Sequence, residues 1–203
     1  MGGAVAVLTI DQRRSRSGTD RVPEVLAELA AVPEHPVLRP FERTAGDELQ
    51  GVVDRPDALA AVAGALLRQH GWYVGIGIGP VEEPLPSSAR AGRGPAYLSA
   101  REAVTAAKTS PWHLRVVGDH PDARSLETTL WLWAAVLARR TDRGWEVADL
   151  VAEGLTYEQV GRRLGISQSA VSQRAQAAGI VEARRAQELV ATLAARVLGQ
   201  EPS

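Results

Sequence analysis

Apolar residues first gather at positions 4–10 (AVAVLTI), a run rich in β-branched side chains, with Gly2-Gly3 before it and a polar stretch at 11–21 after it. A short unbroken run of this kind predicts a buried strand. Val22, Val25, Leu26, Leu29 and Val32 then recur at helical spacing, Asp20 stands where a cap belongs, and Pro33 and Pro36 end the segment. Residues 38–44 and 48–53 read as two short strands around Ala45-Gly46-Asp47, which predicts a β-hairpin. An Ala/Leu-rich helix follows at 57–70 and stops at Gly71, and 72–78 (WYVGIGI) alternates glycine with large apolar residues as a strand does. The order β-α-β-β-α-β predicts an α+β, ferredoxin-like arrangement of four antiparallel strands with helices on one face.

Positions 80–95 hold too many prolines and glycines for a regular element and read as a loop. A helix resumes at 96–108, and 114–117 suits an added edge strand. Beyond the hinge at 118–122 the pattern is helical, with Leu126, Leu130, Trp133 and Leu137 spaced by three and four. Two domains are expected, 1–120 and 121–203, the second all-α.

The second domain carries the sharper motif. In 157–179 (YEQVGRRLGISQSAVSQRAQAAG) Val160, Leu164, Ile166 and Val171 provide apolar anchors, Gly161 permits close helix approach, and Gly165 sits at a turn. That is the requirement of a helix-turn-helix. In this register Ser167 caps the second helix, and Gln168, Ser169, Ser172, Gln173 and Gln176 face outward, where they can bond base edges. Arg162, Arg163 and Arg174 stand where phosphates would be reached. Double-stranded DNA is the expected partner. An Ala-rich hairpin that merely packs is the plainer alternative. At 181–198, Leu189, Leu193 and Val197 form a stripe with Ala186 and Val190 that suits either a homodimer on two half-sites or packing within the chain.

Charge restricts the contact with DNA. The net charge of the 203 residues is −1, so nucleic acid would be held locally and not by an excess of cations over the whole chain. Cysteine is absent, which removes disulfides, thiolate metal sites and cysteine nucleophiles. No apolar run is long enough for a bilayer and no secretory leader is evident, so a cytoplasmic protein without membrane contact is expected. The histidines, His35, His70, His113 and His120, show no metal-ligand spacing, and Trp131, Trp133 and Trp145 suit core packing. The alternating glycines at 75, 77 and 79 lack the helix start of a dinucleotide fingerprint and suit close helix packing or a ligand's approach. Arg90 and Arg93 are placed either to gather phosphates or to sit on a solvated loop.

Three resemblances rest on these residues. LGISQSAVSQRAQAAG looks like helix-turn-helix segments of Cro-type phage repressors and of sigma-factor DNA-binding regions. It departs at Arg174, where many members keep an apolar residue, and Ala175 is expected to take over the packing. AGDEL at 45–49 resembles the GGDEF signature of diguanylate cyclase domains, and Asp11 ends the first strand as a metal-binding aspartate does there and in class III nucleotide cyclases. Asp11 followed by Ser15-Arg16, Gly46-Asp47-Glu48 with Gln50-Gly51, GIGIG at 75–79 and GPAY at 94–97 with Ala100-Arg101 together resemble the SatD family.

The cyclase resemblance implies a nucleotide with Mg²⁺ or Mn²⁺, the metal held by Asp11, Asp47 and Glu48 and the nucleotide by Arg14, Ser15, Arg16, Arg101 and Lys108. Ala45, Leu49 and Tyr97 depart from the catalytic pattern, as in a degenerate sensory or dimerisation copy. The reading is a DNA-binding transcription regulator with such a domain, catalytic residues unknown; the alternative is a metal-dependent, cyclase-like enzyme localised by its helix-turn-helix.

Overall fold

The computed structural model describes residues 3–13, 18–32 and 37–200. The chain forms two compact units, Leu132–Ala186 and a larger one of Met1–Trp131 with Gln187–Ser203.

In the larger unit β1 (Val5–Gln12), β2 (Arg39–Arg43), β3 (Glu48–Val53), β4 (Trp72–Gly79) and β5 (Leu114–Val117) make one sheet in the order β2-β3-β1-β4-β5. The first four are antiparallel to their neighbours, whereas β5 runs parallel to β4. The sheet is therefore mixed and not purely antiparallel. The reason is the connection: a parallel neighbour needs a crossover, and α3 (Pro95–Ala107) supplies it between β4 and β5. β1 is central and buried on both faces, which is why its sequence is an unbroken apolar run.

The helices occupy both faces, which differs from the expected single layer. One face bears Val5, Val7 and Thr9 of β1 beside Gly79, Gly77 and Gly75 of β4. α3 lies directly on it: a Cβ on Gly77 would overlap the Ala100 amide and the Ala96 carbonyl, and one on Gly75 would meet the Ala100 carbonyl at 2.7 Å. The apolar cluster there draws on β1, β3, α3 and the loop before α3. Ala6, Leu8 and Ile10, fully buried, point the other way. α1 (Val22–Ala31) and α2 (Pro56–Arg68) contribute nothing to the α3-side cluster, and their own buried stripes, including Val25, Leu29, Leu59 and Val62, belong with this second face. Asp20 does accept from the Val22 amide at 3.0 Å, as a cap should, although Arg21 stands between it and the helix.

The edge strand β5 is covered. The buried Glu127 of α4 (Ala123–Leu137) accepts from the Val116 amide at 2.8 Å and pairs with Arg115 at 3.3 Å, while Trp131 Nε1 donates to the Leu114 carbonyl at 2.9 Å. Strand edges left open invite pairing with other chains, and these side chains blunt this one. In the last part of the chain Val190, Leu193 and Val197 are buried and only Leu189 of the stripe is exposed, so burial within one copy accounts for the pattern.

The smaller unit contains α5 (Asp142–Ala152), α6 (Tyr157–Leu164) and α7 (Gln168–Ala177). α4 enters it at its C-terminal end and α8 (Ile180–Val197) begins in it. Among the described residues, no helix is long and apolar enough to cross a membrane.

Candidate nucleic-acid interface and a polar cleft on the sheet

α6 and α7 are too short to be stable by length, so their ends are closed by side chains. The Gln159 amide donates to Thr156 Oγ1 at 3.3 Å and the Thr156 amide to Gln159 Oε1 at 2.8 Å, a capping box. Gly165 ends α6 in the left-handed region at φ +67°. Ser167 starts α7, its Oγ accepting from the Ala170 amide at 3.2 Å. Across the turn the Ile166 amide donates to the Gly161 carbonyl at 3.0 Å, and a Cβ on Gly161 would lie 2.8 Å from the Ile166 carbonyl oxygen. The small residue read as a helix-contact glycine thus makes room for the turn itself.

Val160, Val171 and Ala175 form the core of this unit with Val147 of α5, and Leu164, Ile166 and Ile180 pack around them. Ala175 is buried while Arg174 is half-buried, so the alanine takes the packing position. The opposite side of α7 presents Ser167, Gln168, Ser169, Ser172, Gln173 and Gln176, all exposed, beside exposed Arg162 and Arg163. Arg162 is held by Glu158 one turn earlier at 2.5 Å.

Sequence reasoning passed over α5 as part of this core. Val147, Leu150 and Val151, at spacings of three and four behind Thr141-Asp142, were the available signal. It also passed over Arg140, which stacks on Trp145 at 4.2 Å from the ring centre and donates from Nε to the Ala178 carbonyl, closing the end of α7 at 2.9 Å.

Residues 135–178 match the family model of Sigma-70, region 4. The match covers about a fifth of the chain and runs from the end of α4 through α7, so it includes α5 and every exposed polar residue of α7 just named. This similarity and the geometry of α6 and α7 support a C-terminal helix-turn-helix, a DNA-binding region. No curated protein and no solved structure matches the chain.

In the sheet unit the residues implied by the cyclase resemblance are only partly brought together. Arg14, Ser15, Arg16 and His35 lie outside the described residues. Asp11 stands opposite Glu48 in the β1–β3 register, so both carboxylates project on the α3 side. Lys108, just past α3, reaches Asp11 at 2.9 Å, and its hydrogen bond to that carboxylate raises the ammonium pKa above the ordinary lysine value. Asp47 sits in the hairpin turn, where its carbonyl accepts from the Gln12 amide, and Glu48 accepts from Thr44 Oγ1 at 2.7 Å. A divalent ion at Asp11 would have to displace the Lys108 ammonium, and among the described residues no group of three or more His, Asp or Glu is arranged to hold a metal. The donor set in place fits an ion pair better than a two-metal centre.

Arg101 lies elsewhere. It lines a cleft of about 530 Å³ on the α3 side, floored by Thr9, Glu48 and Gln50 and walled by the loop before α3 with Arg90 and Arg93. The Gln50 side-chain amide donates to Thr9 Oγ1 at 3.1 Å. Tyr97 is 9% exposed and lines the cleft from α3, and burial pushes its phenol pKa above the ordinary value. Gly75 and Gly77 are filled by α3 and are not open to a ligand.

Proposed function

We propose that this protein is a sequence-specific DNA-binding transcription regulator that works in the cytoplasm, its operator read by α7. The observation that carries the reading is the composition of α7's free side: five glutamines and serines, all exposed, on a helix whose other side holds the Sigma-70 region 4-like core. Glutamine suits adenine edges in the major groove, and Arg162, Arg163 and Arg174 are placed for flanking phosphates.

The sheet unit is read as a degenerate cyclase-like domain of SatD type with a sensory or dimerising role. Its support is the ferredoxin-like order β2-β3-β1-β4 with Asp11 at the end of β1 and Gly46-Asp47-Glu48 at the hairpin. A homodimer on two half-sites would need a surface other than the α8 stripe, since that stripe is buried. The alternative, a nucleotide-converting enzyme using Mg²⁺ or Mn²⁺ at Asp11, Asp47 and Glu48, has less support, because Lys108 already neutralises Asp11.

Genomic footprinting followed by gel shifts on the recovered site tests the reading. The wild type is expected to protect a discrete sequence, and the Gln168→Ala/Gln173→Ala variant to lose it while remaining folded. A footprint indifferent to that change would remove α7 from the role of reader.

A further inference from the structure

We propose that the cleft on the α3 side of the sheet binds a small organic phosphate, its phosphoryl group held by Arg90, Arg93 and Arg101 and its hydroxyl- or amine-bearing part laid on Glu48, Gln50 and Thr9. The volume, about 530 Å³, lies within the usual 300–1,000 Å³ of small-molecule sites.

The wall is a built structure. Arg39 donates to the carbonyls of Leu38 at 2.7 Å and Leu85 at 2.8 Å, and also to that of Pro86. Glu42 accepts from Ser88 Oγ and from the Arg90 amide, the latter at 2.8 Å. The segment read from sequence as a plain loop is thus fastened to β2, with a short 3₁₀ turn at Ala89–Ala91. A wall fixed before binding spares the ligand the cost of ordering it.

The three guanidinium groups come from the 3₁₀ turn, the loop and α3; the Arg90 charge also acts on the Glu42 carboxylate. Gly94 and Pro95, at the start of α3, also line the cleft, but the first amides of that helix are already taken by the Pro80 and Gly94 carbonyls, so the guanidinium groups carry the anion contact.

Tyr97 supplies an independent observation. Its ring packs in the apolar cluster, yet its buried hydroxyl has no hydrogen-bond partner. A Cβ on Gly92 would overlap that hydroxyl, so the glycine is what admits it beneath the cleft wall. Buried hydroxyls are normally satisfied, and a ligand oxygen in the cleft would satisfy this one. Glu48 and Glu82 also line the cleft, so its lining is not uniformly cationic. That mixture selects an anion joined to hydrogen-bond donors over bare phosphate. Asp11, Asp47 and Lys108 lie outside it, so among the described residues it shares only Glu48 and Arg101 with the set implied by the cyclase resemblance.

The proposal gives the sensory reading of the sheet unit a ligand class and rests on that reading only for an effect on DNA. Binding itself is measured without DNA, so loss of operator binding and loss of this site are separate results. The full chain, in EDTA, is titrated with AMP, GMP, ribose 5-phosphate and glucose 6-phosphate by calorimetry, with inorganic phosphate for comparison. At least one ester is expected to bind with a Kd below about 1 mM, and more tightly than inorganic phosphate. Arg93→Ala/Arg101→Ala should weaken it at least about tenfold. Tyr97→Phe should weaken it several-fold while leaving the apo Tm unchanged or higher, since the hydroxyl it removes has no partner there. Asp11→Asn should change nothing. Absence of binding by all four esters, binding that survives the arginine changes, or equal loss in Asp11→Asn would each overturn the proposal.

Discussion

Glycine makes room for close packing in both units, but over different distances along the chain. In the helix-turn-helix, Gly161 faces the carbonyl of Ile166, five residues away, and Gly165 makes the turn between them. In the sheet unit, Gly77 receives Ala96 and Ala100, some twenty residues on and across a loop. Both are places where a missing side chain decides packing. The first is visible in one short window of sequence, whereas the second shows only that something approaches. The largest test falls on the second. Gly77→Ala would drive a methyl into main-chain atoms of α3, which no rotamer change can relieve, and the expected loss is about 3 kcal/mol or more in urea unfolding. Strand propensity works in the opposite direction, so a loss under about 1 kcal/mol would mean that α3 is not seated on β4 as described.

The units also differ in how far function and stability separate. The outer side chains of α7 are exposed and make no contribution to the apolar core. Gln168→Ala/Gln173→Ala is therefore expected to lower operator affinity at least about tenfold, at roughly 1–3 kcal/mol per bidentate base contact, with Tm unchanged. A parallel fall in Tm would show that these residues hold the fold and would remove the contrast. Tyr97 belongs to core and cleft at once, so its unit cannot be divided in this way.

The same contrast explains what the sequence made legible. Every strand and α-helix from β1 to β5 was readable to within a few residues, because periodicity and turn residues are local. The side of the sheet on which α3 lies was not, because GIGIG records a close approach without naming the partner. The covering of β5 by Glu127 and Trp131 also joins distant segments. For the candidate residues the division is sharper. The exposed set on α7 follows from one helical register and was found whole. The cleft draws Thr9, Gln50, Arg90, Arg93, Tyr97 and Arg101 from β1, β3, the loop and α3, and no spacing in the chain joins them. Lys108 was implied as a nucleotide ligand by the cyclase resemblance, but its position relative to Asp11 depends on where α3 ends over the sheet.

Smaller effects are expected from the caps of the local motif. Ser167→Ala removes the acceptor for the Ala170 amide and should cost about 1 kcal/mol. Gly165→Ala faces open space, so its cost, about 1–2 kcal/mol, comes only from the left-handed backbone, and Gly165→Asn should recover part of it. Comparing the two at Gly165 with Gly77→Ala separates conformational from steric glycine. If Asn at 165 were as damaging as Ala, the turn would depend on space and not on φ.

The smallest effect concerns the cleft wall. Hydrogen bonds from Ser88 Oγ first, and from the Arg90 amide second, hold the Glu42 carboxyl below its usual pKa of 4.5. A carboxylate whose pKa is depressed in the folded protein adds stability above its unfolded value, and that stability is lost as pH falls through the folded one. The group is half-exposed, so solvent screening should keep the contribution under about 1 kcal/mol. Glu42→Gln is therefore expected to melt slightly below wild type near neutral pH, with the gap closing as pH drops below about 4.5. The organic-phosphate affinity of the cleft should fall over the same acid range in wild type, because protonated Glu42 no longer fixes the turn that carries Arg90. A melting gap that persisted unchanged into acid would show that Ser88 and the Arg90 amide are held by shape, and that charge at Glu42 plays no part in setting the wall.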